Sequence, residues 1–207
     1  MNTIREDIYR LLAACYYPPT AAFLEERCCT SLAGLLEGVD PGAAALARQA
    51  ASCCSTAALE ELLVEYSRLF LGPFKLVAPP YGSVWLDDSK GVMGPSTARV
   101  SAFYDNCGLR LAEDFTELPD HIAVELEFMS YLAFKQREAI TSGDHDESGR
   151  LAGLQRDFLA TLLLPWLEPF TASIVEDGES PLYQAIACTA ATFVVADMAT
   201  LSHNSHD

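Results

Sequence analysis

The chain has 207 residues, half of them hydrophobic and 20% charged, which suits one packed domain and excludes a disordered chain. Thirteen Lys and Arg against 29 Asp and Glu give a formal charge of −16. Such a surface repels nucleic acid and anionic membrane and attracts a basic partner.

In chain order, residues 1–12 carry Arg5, Glu6, Asp7 and Arg10 and no apolar segment, so no secretory signal is expected. Residues 3–17 place Ile4, Ile8, Leu11, Leu12 and Cys15 at helical spacing, and Pro18-Pro19 ends the run. Thr20 is a candidate cap for a second helix over 20–37, followed by a turn at Asp40-Pro41-Gly42. Alanine-rich residues 43–54 make a third helix. A fourth starts near Ser55 or Thr56, carries Leu59, Leu62, Leu63, Tyr66, Leu69 and Phe70, and stops at Gly72-Pro73. Residues 72–95 then lose periodicity. Four prolines and four glycines alternate there with Phe74, Tyr81 and Trp85, as in a rigid, ring-bearing binding loop or a loop plugged onto the core. Helix returns over 96–107, with Gly108 as its C-terminal stop. After an acidic connector, Pro119 makes a helix start natural just beyond it, with Asp120 as N-cap. His121 and Glu125, four apart, share a face of that helix, and Ile122, Leu126, Met129 and Ala133 fall at core spacing.

A helix from about Glu147 should kink or end at Pro165, and Pro181 opens the last one. The apolar run 185–201 contains Asp197, so a buried helix is expected rather than a membrane span. The tail from Ser202, with His203 and His206, should be solvated. No stretch alternates as a strand does. The expectation is therefore all-α: one bundle of about eight helices over 1–207, with a weak subdivision allowed near 108–120 or 141–147. Seven cysteines include the vicinal pairs Cys28-Cys29 and Cys53-Cys54 and no Cys-x-x-Cys. They read as reduced apolar residues of a cytoplasmic protein.

The corner Asp120/His121/Glu125 is open to several readings from its residues alone. It could be a helix cap, an acid–base pair of a small hydrolase, a metal site, or a grip for a partner's charged groups.

Three separated pieces fit one family: Tyr66-Ser67-Arg68-Leu69-Phe70, Pro80-Tyr81-Gly82-Ser83-Val84-Trp85, and Glu117-Leu118-Pro119-Asp120-His121 followed by Glu125. Together they resemble the TorD/DmsD/NarJ chaperones of molybdenum oxidoreductases. One departure is that Leu118, not a proline, follows Glu117. The resemblance implies an all-helical cytoplasmic chaperone without catalysis, cofactor or metal. Its partner would be the signal peptide or N-terminal segment of a molybdoenzyme catalytic subunit precursor. It further implies no stable membrane insertion, and a monomer or domain-swapped homodimer. The site carried over from it comprises Tyr66, Leu69, Phe70, Pro80, Tyr81, Glu117, Asp120 and His121. Trp85 and Glu125 join on the reading of the loop and the corner.

Overall fold

The computed structural model describes residues 3–54, 57–72, 76–112, 114–177 and 179–203. The expected helix start at Ser55 or Thr56, the ring of Phe74, and His206 lie outside them. The elements are α1 (Thr3–Ala14), α2 (Ala21–Glu25), α3 (Cys28–Leu36), α4 (Pro41–Cys54) and α5 (Leu59–Tyr66), which widens into a π-turn at Ser67–Leu71. Then come α6 (Gly82–Leu86), α7 (Pro95–Asn106), α8 (Ile122–Ser142), α9 (His145–Phe158), a second π-turn (Leu159–Leu163), α10 (Leu164–Asp177) and α11 (Pro181–His203). Setting aside the five-residue α2 and α6 and taking α9–α10 as one rod leaves eight helices among the described residues. The all-α expectation holds. The extended pairing among those residues is a single bridge between Tyr81 and His121.

Several boundaries moved for physical reasons. Thr20 caps α2 as expected, its Oγ1 accepting from the Phe23 N–H at 3.2 Å. The expected helix 20–37 nevertheless breaks at Arg27, whose φ of +51° is left-handed. No α2 residue is buried, whereas Cys28, Cys29, Leu32, Ala33 and Leu36 of α3 all are. The break turns the apolar face of α3 onto α4. The loop 72–95 is not wholly irregular, because α6 lies inside it.

Gly108 and Gly143 stop α7 and α8 alike, at φ +74° and +76°. After α7 the Leu109 N–H donates to Tyr104 O and Gly108 N–H to Asp105 O; after α8 the Asp144 and Gly143 N–H groups donate to Ala139 O and Ile140 O. The next helix opens two residues earlier than expected, since Asp144 caps it by accepting from Glu147 N–H at 3.0 Å. Pro165 does not end it. The π-turn just before Pro165 absorbs the missing N–H and the ring.

α1 packs on α8, α4 on both α3 and α11, α8 on α9, and α10 on α11. The buried apolar residues of all these helices form one cluster. Two stretches, His145–Glu176 and Pro181–His203, are long and apolar enough to cross a membrane, but half of each qualifying window is buried against other helices. Asp197 on α11 is 5% exposed and faces Arg5 of α1, with N–O separations of 2.6 and 2.7 Å. Tyr9 donates to the same carboxylate at 2.8 Å, and Arg5 also donates to Gln155 of α9 at 2.8 Å. The first and last helices are thus joined inside the core.

Candidate functional site

The signature at 117–121 folds against the loop at 80–83. Gly82 N–H donates to Asp120 O and Ile122 N–H donates to Pro80 O, each at 2.8 Å. This pair of bonds docks the proline-rich loop on the start of α8. It also redirects Asp120. Asp120 is not the N-cap of α8; its Oδ2 accepts from the Ser83 N–H at 2.8 Å, so it caps α6. The N-cap of α8 is His121, whose Nδ1 accepts from Ala123 N–H at 3.2 Å. One dipeptide fixes two helix starts. Gly82 fits closely here: a Cβ would sit 3.0 Å from Trp166 Nε1, and the indole would have to give way.

The corner itself is interior. Asp120, His121 and Glu125 are at most 1% exposed. Glu125 Oε2 accepts from the Trp166 indole N–H at 3.3 Å. Burial pushes its carboxyl well above the usual range, with the Asp120 charge adding to the effect and the Trp166 bond opposing it, so the fold favours its protonated form. Burial pulls His121 down from 6.5 to about 4, so its imidazole is neutral. Its Nε2 lies 3.9 Å from Glu117 Oε2, too far for a hydrogen bond, and without charge the two are not an ion pair. Ser83 Oγ, Asp120 Oδ1 and Glu125 Oε1 have no hydrogen-bond partner among the described residues.

Around this buried imidazole two phenols fan outward. The Tyr17 ring stacks on it at 5.9 Å and 12°, and Tyr81 meets it edge-on at 5.2 Å and 71°. Tyr81 donates to Glu117 Oε2 at 3.0 Å, and Tyr17 donates to Glu127 Oε2 at 3.1 Å. Burial, with Glu117 beside it, pushes the Tyr81 phenol up to about 12. Burial also raises the Glu127 carboxyl, against the lowering effect of the Tyr17 bond. Tyr81 and Glu117 are half-buried and Glu127 is exposed.

The remaining sequence-derived residues divide by depth. Tyr66, Leu69, Phe70 and Pro80 are buried. Tyr66 donates to Tyr16 O at 3.2 Å, and Phe70 meets Tyr66 and Tyr183 edge-on. Trp85 is half-buried, with its indole N–H on Pro79 O at 2.8 Å and its ring against Phe170. Tyr17, Glu127, Tyr131 and Phe134 were not anticipated. The spacing of the last three along α8 was an available sign that they share an outward face.

Beside that face run three shallow depressions of about 240, 250 and 400 Å³. The first two share Tyr104, Leu109 and Leu111; the last two share Glu127 and Tyr131. Through these shared residues they adjoin as one groove from Pro119 past Leu109, Arg110 and Leu111 to Glu6 and Phe134, with Asp105, Glu127, Glu6 and Asp7 as acidic lining and Arg110 and Arg10 as basic lining. Among the described residues, no group of three His, Cys, Asp or Glu side chains is placed to hold a metal ion.

Compared with known proteins, this all-helical chain falls within a family. The profile of the nitrate reductase delta subunit family matches residues 35–172, and the chain belongs to that family. It is 33% identical over 127 residues to the Tat proofreading chaperone DmsD of Salmonella typhi, covering 61% of this chain and 55% of that protein. It is 31% identical over 147 residues to the chaperone protein TorD of Shewanella pealeana, covering 68% and 60%. The matches therefore span a little over half the length of these relatives. A crystal structure of a putative redox enzyme maturation protein from Archaeoglobus fulgidus shares the fold, with a TM-score of 0.54 at 23% identity over 95% of this chain and 93% of that one.

Proposed function

We propose that this protein is a cytoplasmic chaperone that binds the twin-arginine leader or N-terminal segment of a molybdenum oxidoreductase subunit during its maturation, by binding alone and without catalysis. The names of its relatives support the class. The observation that carries the binding mode is the groove beside α8, lined by Glu127, together with Glu117, which lies outside the groove lining; each of the two is held by a phenol that leans on buried His121. Two positioned carboxylates suit guanidinium groups, and the Leu109–Leu111 wall suits the apolar segment that follows them.

In this reading Tyr81, Trp85 and Glu117 meet the peptide. Tyr66, Leu69, Phe70, Pro80, Asp120, His121 and Glu125 hold this surface in place from beneath. Calorimetric titration with a twin-arginine peptide tests it. The Glu117→Gln/Glu127→Gln double variant should lose on the order of tenfold or more in affinity while its unfolding midpoint stays near wild type. Unchanged affinity would take both carboxylates out of the site. A hydrolase or metal site at Asp120/His121/Glu125 finds no support in this geometry, where all three are enclosed and two of them serve as helix caps.

A further inference from the structure

Away from that groove, Cys15 just beyond α1, Cys29 of α3 and Cys54 of α4 converge. Cys29 Sγ lies 3.5 Å from Cys54 Sγ, and Cys15 is near enough to Cys29 to perturb its thiol. Cys28 and Cys53, one position back on each helix, project about 100° away from their neighbours. Beside the Cys29–Cys54 contact opens a cavity of about 470 Å³, lined by Phe23, Leu24, Arg27, Ala51, both thiols and also Cys28. Cys29 is 2% exposed, while Cys54 at the end of α4 is partly exposed.

We propose that Cys29 and Cys54 form a reversible dithiol–disulfide pair, oxidised through this cavity by a low-molecular-weight disulfide. The contact is close enough for closure by side-chain rotation, since a disulfide needs roughly 2 Å between sulfurs. Cys54, the more accessible thiol, loses its proton and attacks one sulfur of the small disulfide. That bond breaks and releases one small thiolate. Cys29 then loses its proton and attacks the Cys54 sulfur of the mixed disulfide, releasing the second small thiolate. In balance, two protein thiols are oxidised to one disulfide, and the small disulfide is reduced to two thiols, which carry away both protons. The product joins α3 to α4. Interaction with Cys15 and burial push the Cys29 thiol up, and the bond to Cys29 together with burial does the same to Cys54, so the exchange, which goes through a thiolate, is slow at neutral pH and quickens as pH rises.

The test is to incubate the full chain with oxidised glutathione, denature it under alkylation, and digest it with trypsin without reductant. Cleavage after Arg27, Arg48 and Arg68 leaves Cys28-Cys29 and Cys53-Cys54 on the separate peptides 28–48 and 49–68. A linked pair, lighter by the two thiol hydrogens and split by dithiothreitol, is expected. It should be lost in Cys29→Ser and in Cys54→Ser and kept in Cys28→Ser and Cys53→Ser. No link, a link surviving Cys29→Ser, or glutathione left on Cys54 without closure would each overturn the pairing.

Discussion

At the level of single residues, the buried titratable groups make opposite contributions to stability. His121 titrates near 6.5 when unfolded and near 4 when folded. Between those values the unfolded chain takes the proton first. Stability should therefore fall as pH drops from 6.5 toward 4, by up to about 3 kcal/mol. Glu125 works the other way. It stays protonated in the fold well above its ordinary 4.5, so ionisation favours the unfolded chain as pH rises past that value. Glu125→Gln removes this second contribution. Urea midpoints should therefore shift in favour of the variant, relative to wild type, as pH is raised from about 5 to about 8. A pH-independent difference would mean that Glu125 is not protonated in the fold. The same burial explains why Asp120→Ala should cost on the order of 1–3 kcal/mol, because it leaves the Ser83 N–H unpaired in the interior. Its expected signature is loss of stability before any loss of peptide affinity.

At the level of elements, close packing decides where α6 sits. Gly82 gives the first turn of α6 room against Trp166, and Asp87 at its far end accepts from both the N–H and the hydroxyl of Ser96 at 3.0 and 2.6 Å. A short helix is thus pinned at both ends, one to α10 and one to the start of α7. Gly82→Val should push the indole off its contact and cost about 1–3 kcal/mol, measurable as a lower melting temperature together with changed tryptophan fluorescence. The sequence hid this element because five residues among prolines and glycines carry no helical period. It hid the break at Arg27 too, since arginine has no preference for left-handed backbone.

For the molecule as a whole, two features matter. The Arg5–Asp197 pair ties α1 to α11 inside the core, and Asp197→Ala strands the guanidinium. A loss of about 3–5 kcal/mol in denaturant unfolding is expected, and a loss under about 1 kcal/mol would show that the pair is not buried in solution. The charge of −16 should draw a basic leader at long range. Its affinity should fall as salt rises from about 50 to about 500 mM, while an equally apolar leader without arginines responds little.

The residue pattern alone determined the helical class, most core faces, the stop at Gly108, and the membership suggested by Tyr66 to Phe70, Pro80 to Trp85 and Glu117 to His121. All of these are local: helical spacing, glycine's tolerance of positive φ, and contiguous motifs. Tertiary structure alone decided that Asp120 caps a helix on another segment, that His121 is an enclosed platform, and that Tyr17 and Glu127 stand beside Glu117. Those outcomes depend on partners between 36 and 110 positions away, brought together by a two-bond bridge and by packing, neither of which leaves a period in the chain.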